Sequence, residues 1–122
     1  MIRQFRHAAG GWIWELPAGI LDPNEGHAVT ARRELLEETG TSADQWHYLG
    51  PMLSTPGFCD ETLHVYLATG LQKGEATPEA HEFIEVHWLS ADQIEEMIAT
   101  SQITDAKTIV GWFKARQYQQ SI

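Results

Sequence analysis

An acidic segment in the first third of the chain is the strongest indication of how this protein folds. Between Gly19 and Gly40 the sequence supplies a loop rich in turn-forming residues and then a helix-forming run with three glutamates. Glu34, Glu37 and Glu38 are three and four residues apart, so they project from one side of a helix. Like charges at these spacings repel and weaken an isolated helix. Several carboxylate oxygens on one rigid element suit a hard divalent cation, Mg²⁺ or Mn²⁺.

The same glutamates also fit an ordinary solvated acidic face, which is the commoner meaning of an isolated Glu-x-x-Glu-Glu. The wider pattern favours the metal-binding interpretation, because glycines, a further glutamate and an Arg-Glu pair stand at fixed intervals around it. This pattern resembles the signature of the Nudix hydrolases. Thr41 departs from it, since an aliphatic residue is expected there. The charged and glycine positions of the signature are filled by Gly19, Glu25, Arg33, Glu34, Glu37, Glu38 and Gly40.

Length and composition fit one acidic domain, residues 1–122. The chain is 43% hydrophobic with five Trp, so it can bury a core. Its formal net charge of −9 argues against nucleic acid or an anionic membrane as partner, because both require basic patches. Cys59 is the only cysteine, so no internal disulfide is expected and a reducing cytoplasm is the expected location. The sequence shows neither a transmembrane run nor a signal-peptide pattern.

Apolar alternation and turn residues predict five strands. These strands are expected at residues 1–7, 12–16, 45–53, 61–69 and 83–89, with a polar loop over 70–81. Strands interspersed with helices predict an α/β class in which helices pack on a sheet. The family resemblance implies, more specifically, a Nudix-like mixed β-sheet sandwiched between helices, an α/β (α+β) fold.

Three helices are predicted from apolar periodicity and capping residues. They are expected at residues 27–39, at 91–100, and from Thr104 or Asp105 to about residue 117. The first helix is expected to end at Gly40. Its buried side is predicted to consist of Ala28, Ala31, Leu35 and Leu36.

The resemblance implies a role for each acidic residue of the signature. Glu34 and Glu38 correspond to the main metal ligands, Glu37 completes the cluster, and Ala18 offers its backbone carbonyl to the same Mg²⁺ or Mn²⁺ ion. Arg33 is expected to orient a glutamate through charge-assisted hydrogen bonds rather than to touch substrate. Glu25, by the same resemblance, braces the loop against the helix; a plain surface glutamate is the alternative.

The general base is expected outside the signature. In the branch of the Nudix family that this chain resembles most, a glutamate of a later mobile loop takes the proton. Glu82 is the first candidate for this role here, and Glu79 is the second. Glu85 lies within a predicted strand and is less free to move. An ordinary solvated loop carboxylate is the alternative for either candidate.

Two flanking segments resemble the ADP-ribose pyrophosphatase branch of the family. They are residues 14–19 and 54–61, and Pro56 falls where that branch carries its marker proline. The implied reaction converts ADP-ribose and water to AMP and ribose 5-phosphate. Arg6 corresponds to an arginine that contacts the diphosphate or adenosine, and Thr55 and Glu61 to positions near the terminal ribose. A solvated strand residue for Arg6 and an ordinary turn at Pro56 are the alternatives.

Other functions stay open on the sequence alone. The chain starts with a segment, residues 1–6, that resembles a strand found well inside related proteins, so an N-terminal segment is expected to be missing. A partner subunit would then cover the exposed sheet edge, which favours a homodimer. The alternatives are a Nudix hydrolase for a GDP-sugar, ADP-glucose or a dinucleotide, a non-catalytic nucleotide-binding regulatory domain, and a small acidic interaction module.

Overall fold

A computed structural model describes all residues, 1–122, as two antiparallel sheets and three helices. The first sheet has the order β2-β1-β5, with β1 at Ile2–Arg6, β2 at Gly11–Glu15 and β5 at Ile84–Val86. The second sheet is a hairpin of β3, Ser42–Leu53, and β4, Thr62–Gln72. The helices are α1, His27–Thr39, α2, Ala91–Ala99, and α3, Ala106–Ser121. The predicted α/β class is confirmed, with the strands arranged in two antiparallel sheets.

The first sheet buries the end of β2. A short 3₁₀ turn and Gly10, at φ 79°, reverse the chain so that Ile2 pairs with Glu15. On its other side Ile2 pairs with Val86 of β5. Ile2 and Glu15 are each only 1% exposed. The segment that follows Glu15 therefore leaves the sheet from a buried, fixed position.

The hairpin is longer than its apolar pattern predicts. β3 begins at Ser42 rather than at residue 45, and β4 continues to Gln72 into the predicted polar loop. The loop prediction is therefore wrong for residues 70–72. Ser42 pairs with Gln72, because the backbone hydrogen bonds of a hairpin continue whatever the polarity of the side chains.

Helix α1 has the predicted bounds but a different buried side. Its end is fixed by Gly40, at φ 69°, whose N–H bonds the Leu36 carbonyl at 2.8 Å. The buried residues are Thr30 and Glu38, whereas Ala28 and Leu36 are exposed. The prediction that Ala28 and Leu36 are buried is wrong, because the helix turns its glutamate side toward the segment after β2.

The remaining elements follow their capping residues. Ser90 and Gln93 form a reciprocal capping box at the start of α2. Asp105 rather than Thr104 caps α3, which runs to Ser121, beyond the predicted end. The strand predicted over 83–89 is confined to β5, because it pairs only with the short strand β1. None of the helices is both long and apolar enough to cross a bilayer.

Candidate active site

The turn after β2 lies directly against the glutamate side of α1. The Ala18 N–H donates a hydrogen bond to Glu38 Oε2 at 3.2 Å. A Cβ atom added at Gly19 would come within 2.0 Å of Glu34 Cδ, so only glycine leaves room for that carboxylate. The turn and the helix therefore hold each other in place. The first position of the signature requires glycine because any side chain there would collide with Glu34.

Arg33 connects the acidic residues of the site. Its Nη1 donates to Glu34 Oε1 at 2.9 Å and to Glu37 Oε2 at 3.1 Å. Its Nε and Nη2 donate to the two carboxylate oxygens of Glu25, at 3.1 and 3.0 Å. The hydrogen bonds from Arg33 and from Thr30 lower the pKa of Glu25 to about 2. Arg33 thus ties the loop to the helix and orients two of the predicted metal ligands.

Burial makes two of the helix glutamates hard to ionise. Glu38 is 2% exposed, and its burial together with the nearby Glu34 and Glu82 carboxylates raises its pKa to about 8. Burial also raises the pKa of Glu34, although its ion pair with Arg33 opposes that shift. Arg33 does not cancel the upward pKa shifts that burial causes. The site therefore lacks positive charge beside its most enclosed carboxyl groups.

The donor atoms of this site fit a hard divalent cation. Glu34, Glu37 and Glu38 supply carboxylate oxygens, and the Ala18 carbonyl accepts no hydrogen bond from the protein. The side chains are not already gathered at metal-binding distances from one point. Arg33 engages Glu34 and Glu37, while Glu38 turns toward the Ala18 amide.

The loop between β4 and β5 is attached to the end of α1. The Thr77 N–H donates to the Glu37 carbonyl at 2.7 Å. A Cβ atom at Gly40 would lie 2.4 Å from the Gly74 carbonyl oxygen, so the loop crosses the helix end in close contact. The second glycine of the signature therefore ends the helix and admits the loop.

This loop brings Glu82, rather than Glu79, toward the acidic helix. Glu82 contributes to raising the pKa of both Glu34 and Glu38. Its carboxylate accepts a hydrogen bond from the Glu79 N–H at 2.9 Å. The Glu79 side chain is 65% exposed and lies 3.3 Å from His81. Of the two candidate bases, Glu82 is therefore the one whose charge is felt at the acidic helix, whereas the Glu79 side chain faces solvent.

A cleft of about 480 Å³ separates α1 from the β3–β4 hairpin. Ala18 and Glu34 line it from the site, and Glu61 and Lys107 add opposite charges. Glu61, predicted near the substrate, therefore shares a cavity with two of the predicted metal ligands, Ala18 and Glu34.

The other predicted substrate residues lie outside the lining of this cleft. Thr55 and Pro56 stand on an exposed turn, in which the Thr55 carbonyl accepts the Cys59 N–H at 2.9 Å. Arg6 instead turns to the buried Glu15, with Nε 2.8 Å from Oε2. The structure does not gather these three residues with the predicted metal ligands.

Sequence reasoning missed two polar clusters beside the site. Glu15 accepts hydrogen bonds from both Arg6 and Lys107. The alternation of residues 12–16 gave no signal for it, because it places Glu15 on the side of the strand opposite Trp12, Trp14 and Leu16. His27 stacks on His64 with ring centroids 4.0 Å apart, and no spacing in the sequence indicates that contact.

Comparison with known proteins adds the family. A NUDIX domain model matches residues 1–111. The chain is 39% identical over 122 residues to a methanol dehydrogenase activator of Bacillus methanolicus, covering 98% of this chain and 64% of that protein. It is also 39% identical over 115 residues to an ADP-ribose pyrophosphatase of Mycobacterium tuberculosis, covering 91% and 55% respectively.

A solved structure described as an ADP compounds hydrolase has the same fold. It superposes with a TM-score of 0.85 at 20% identity, over 98% of this chain and 65% of that one. This chain spans 64% and 55% of the lengths of the two relatives.

Proposed function

Since this chain belongs to the Nudix family, we propose that it hydrolyses the pyrophosphate bond of a nucleoside diphosphate sugar. ADP-ribose is the leading substrate, with AMP and ribose 5-phosphate as products. The observation that carries the proposal is the packing of the Ala18–Gly19 turn on buried Glu38 and half-buried Glu34, carboxyl groups whose raised pKa values show that positive charge is lacking there.

Nudix hydrolases generally use divalent metal ions, and we propose Mg²⁺, with Mn²⁺ as a substitute. Glu34, Glu38 and the Ala18 carbonyl would hold the metal, and Glu37 would complete the set. When bound, the metal would lower the pKa of water and neutralise phosphate oxygens. Arg33 orients Glu34 and Glu37 through the hydrogen bonds described above.

Glu82 is the proposed general base. It would take the proton of the water that attacks one phosphorus, while the bond from that phosphorus to the bridging oxygen breaks. The oxygen leaves with the other phosphate, which yields two phosphomonoesters. Glu79 is the second candidate, although its side chain faces solvent.

The substrate is proposed to enter the cleft between α1 and the hairpin. Glu61 lines this cleft and would lie near the terminal ribose. Arg6, Thr55 and Pro56 remain proposed contacts through their positions in the ADP-ribose pyrophosphatase pattern. The ADP-ribose pyrophosphatase among the relatives supports this choice of substrate.

A different nucleoside diphosphate derivative, or a non-catalytic regulatory role, is the alternative. The relative described as a methanol dehydrogenase activator favours keeping this alternative, because its name states activation of another enzyme. Substrate comparison separates the possibilities, since a regulatory domain would bind nucleotide without turnover.

We also propose a homodimer in the cytoplasm. Val29 and Leu36 on α1 and Phe113 on α3 are more than half exposed, and a partner subunit would cover such surfaces. The free thiol of Cys59 is exposed, which fits a reducing compartment. Sedimentation of the purified chain would test the dimer directly.

The deciding experiment incubates the purified chain with ADP-ribose and Mg²⁺ and measures AMP release. The same assay is run on Glu38→Gln, with and without metal. Metal-dependent AMP release that Glu38→Gln loses would support the proposal. Absence of turnover on ADP-ribose, GDP-mannose, ADP-glucose and dinucleotides would overturn the enzymatic proposal and leave a nucleotide-binding role.

A further inference from the structure

We infer that Thr108, in the first turn of α3, is a positioning residue that sets the backbone of the Ala18 turn. This inference rests on the proposed function, because the Ala18 carbonyl is one of the proposed metal ligands. Thr108 itself touches none of the glutamates of α1, so any effect it has on metal binding must pass through the turn.

The Thr108 hydroxyl is fully committed at a buried position. Its side chain belongs to a residue that is 0% exposed. Oγ1 accepts a hydrogen bond from the Leu16 N–H at 3.0 Å and donates one to Asp105 Oδ2 at 2.6 Å. Since Asp105 takes the hydroxyl proton, an oxygen lone pair is left to receive the Leu16 amide.

Two different helices hold the turn through two backbone amides that are two residues apart. Leu16 is bonded to Thr108 of α3, and Ala18 is bonded to Glu38 of α1. Pro17, between them, has no N–H and a restricted φ. The backbone that leads into the Ala18 carbonyl therefore has little freedom while both hydrogen bonds are made.

Side-chain packing adds a steric contact to the hydrogen bond. A Cβ atom at Gly111, one turn after Thr108, would lie 2.7 Å from Leu16 Cδ1. The Leu16 side chain thus packs against α3 at Gly111, where a larger residue would leave no room for it. Both its amide and its side chain meet the same helix.

A chain of charges holds the start of α3 against the end of β2. Asp105 accepts from Lys107 Nζ at 3.0 Å, and Lys107 also reaches the buried carboxylate of Glu15. Arg6 binds the same Glu15 carboxylate with two hydrogen bonds. Because Glu15 immediately precedes Leu16, the network fixes the residue from which the turn departs.

The test compares three variants of the full chain. Thr108→Val keeps the shape but leaves the Leu16 amide without an acceptor, and Thr108→Ser restores the hydroxyl. Thr100→Val is the matched control, because the Thr100 hydroxyl bonds only at the exposed end of α2. Each variant is titrated with Mn²⁺ by calorimetry, and amide hydrogen exchange is followed at Leu16 and Ala18.

We expect Thr108→Val to weaken Mn²⁺ binding by about tenfold or more, as outer-shell changes at metal sites do. Amide exchange at Leu16 and Ala18 should accelerate, and kcat should fall more than KM rises. Thr108→Ser and Thr100→Val should stay close to the unmodified chain. Unchanged Mn²⁺ affinity in a folded Thr108→Val protein would overturn the inference, as would Thr108→Ser behaving like Thr108→Val.

If Thr108→Val fails to fold, Asp105→Asn gives the same answer. It retains a good N-cap residue but weakens the acceptor that orients the Thr108 hydroxyl. Suppose that Asp105→Asn binds Mn²⁺ more weakly than the unmodified chain, and that the unmodified chain hydrolyses no nucleotide. This result would uphold the positioning role and refute the proposed reaction. Normal Mn²⁺ affinity of Asp105→Asn, in a chain that does hydrolyse ADP-ribose, would refute the positioning role and uphold the proposed reaction.

Discussion

Glu38 combines burial with a location among other carboxylates. Its exposure of 2% and the neighbouring charges of Glu34 and Glu82 favour the protonated form, so its pKa stands at about 8. A hydrogen bond from the Ala18 amide opposes this shift without cancelling it. A divalent cation bound here would supply the missing positive charge, and the carboxyl proton would be displaced to solvent.

The first prediction concerns Glu38→Gln. The change keeps the side-chain shape and removes the charge, so hydrolysis should fall by at least about 100-fold, or about 3 kcal/mol of transition-state stabilisation. The thermal stability of the metal-free protein at alkaline pH should not fall. Initial rates and melting curves measure both quantities. Glu96→Gln, on an exposed face of α2, is the control.

The second prediction concerns Gly19. Gly19→Ala places a methyl group where the Glu34 carboxylate lies, so that side chain must rotate away. We expect at least about tenfold weaker activity and a loss of about 1–3 kcal/mol in unfolding free energy. Gly57→Ala is the control, because its added Cβ would meet nothing within 4 Å. Equal activity of the two variants would argue against close packing of the turn on Glu34.

At the scale of elements, α1 buries its polar rather than its apolar side. Its bounds could be predicted because Gly40 marks the end and the signature fixes the register. Its orientation could not be predicted from apolar residues, since Thr30 and Glu38 are buried while Leu36 is exposed. A helix built around a charged site departs from the usual amphipathic rule at the residues that serve the site.

The third prediction concerns the connection between this helix and its loop. Arg33→Lys keeps the charge but cannot reach Glu25, Glu34 and Glu37 together, so activity should fall by about 10- to 100-fold. Arg32→Lys is the matched control, since Arg32 lies 5.7 Å from the Trp46 ring and outside the acidic cluster. Steady-state rates at saturating Mg²⁺ make the comparison. Similar losses in both variants would indicate a general helix effect instead.

The contacts that could not be predicted from the sequence are those between residues far apart in the chain. Lys107 and Glu15 are 92 residues apart, as are Leu16 and Thr108. Local patterns indicate neither the burial of Glu15 nor its partner. The local features, namely the signature helix and the turn before it, follow from short-range chemistry and could be predicted, whereas the start of α3 was narrowed only to Thr104 or Asp105.

At the scale of the whole molecule, the raised carboxyl pKa values predict how stability depends on pH. Glu38 has a pKa of about 8 in the folded chain against an ordinary value of 4.5, and the pKa of Glu34 shifts in the same direction. Between these pH values the folded state holds protons that the unfolded chain has released. The stability contribution is therefore complete below about pH 4.5 and is lost as pH rises through about 8.

The fourth prediction concerns this loss of stability with rising pH. Without divalent metal, the unfolding free energy should decrease from about pH 5 to about pH 8, and Glu38→Gln should flatten the decline. Mg²⁺ should restore stability most at the alkaline end, because it binds only the folded, deprotonated site. Denaturant titrations across this range, with and without Mg²⁺, measure the effect. A metal-free stability that rises over the range would contradict the account.

If α1 carries a cation site that Glu38 completes, metal binding must release the Glu38 proton. Calorimetric titration with Mg²⁺ at about pH 7, in buffers of different ionisation enthalpy, should show saturable binding with release of about one proton. Glu38→Gln should abolish the release and weaken binding, and the release should disappear well above pH 8. Mg²⁺ binding without proton release and unaffected by Glu38→Gln, or no binding at all, would contradict the claim.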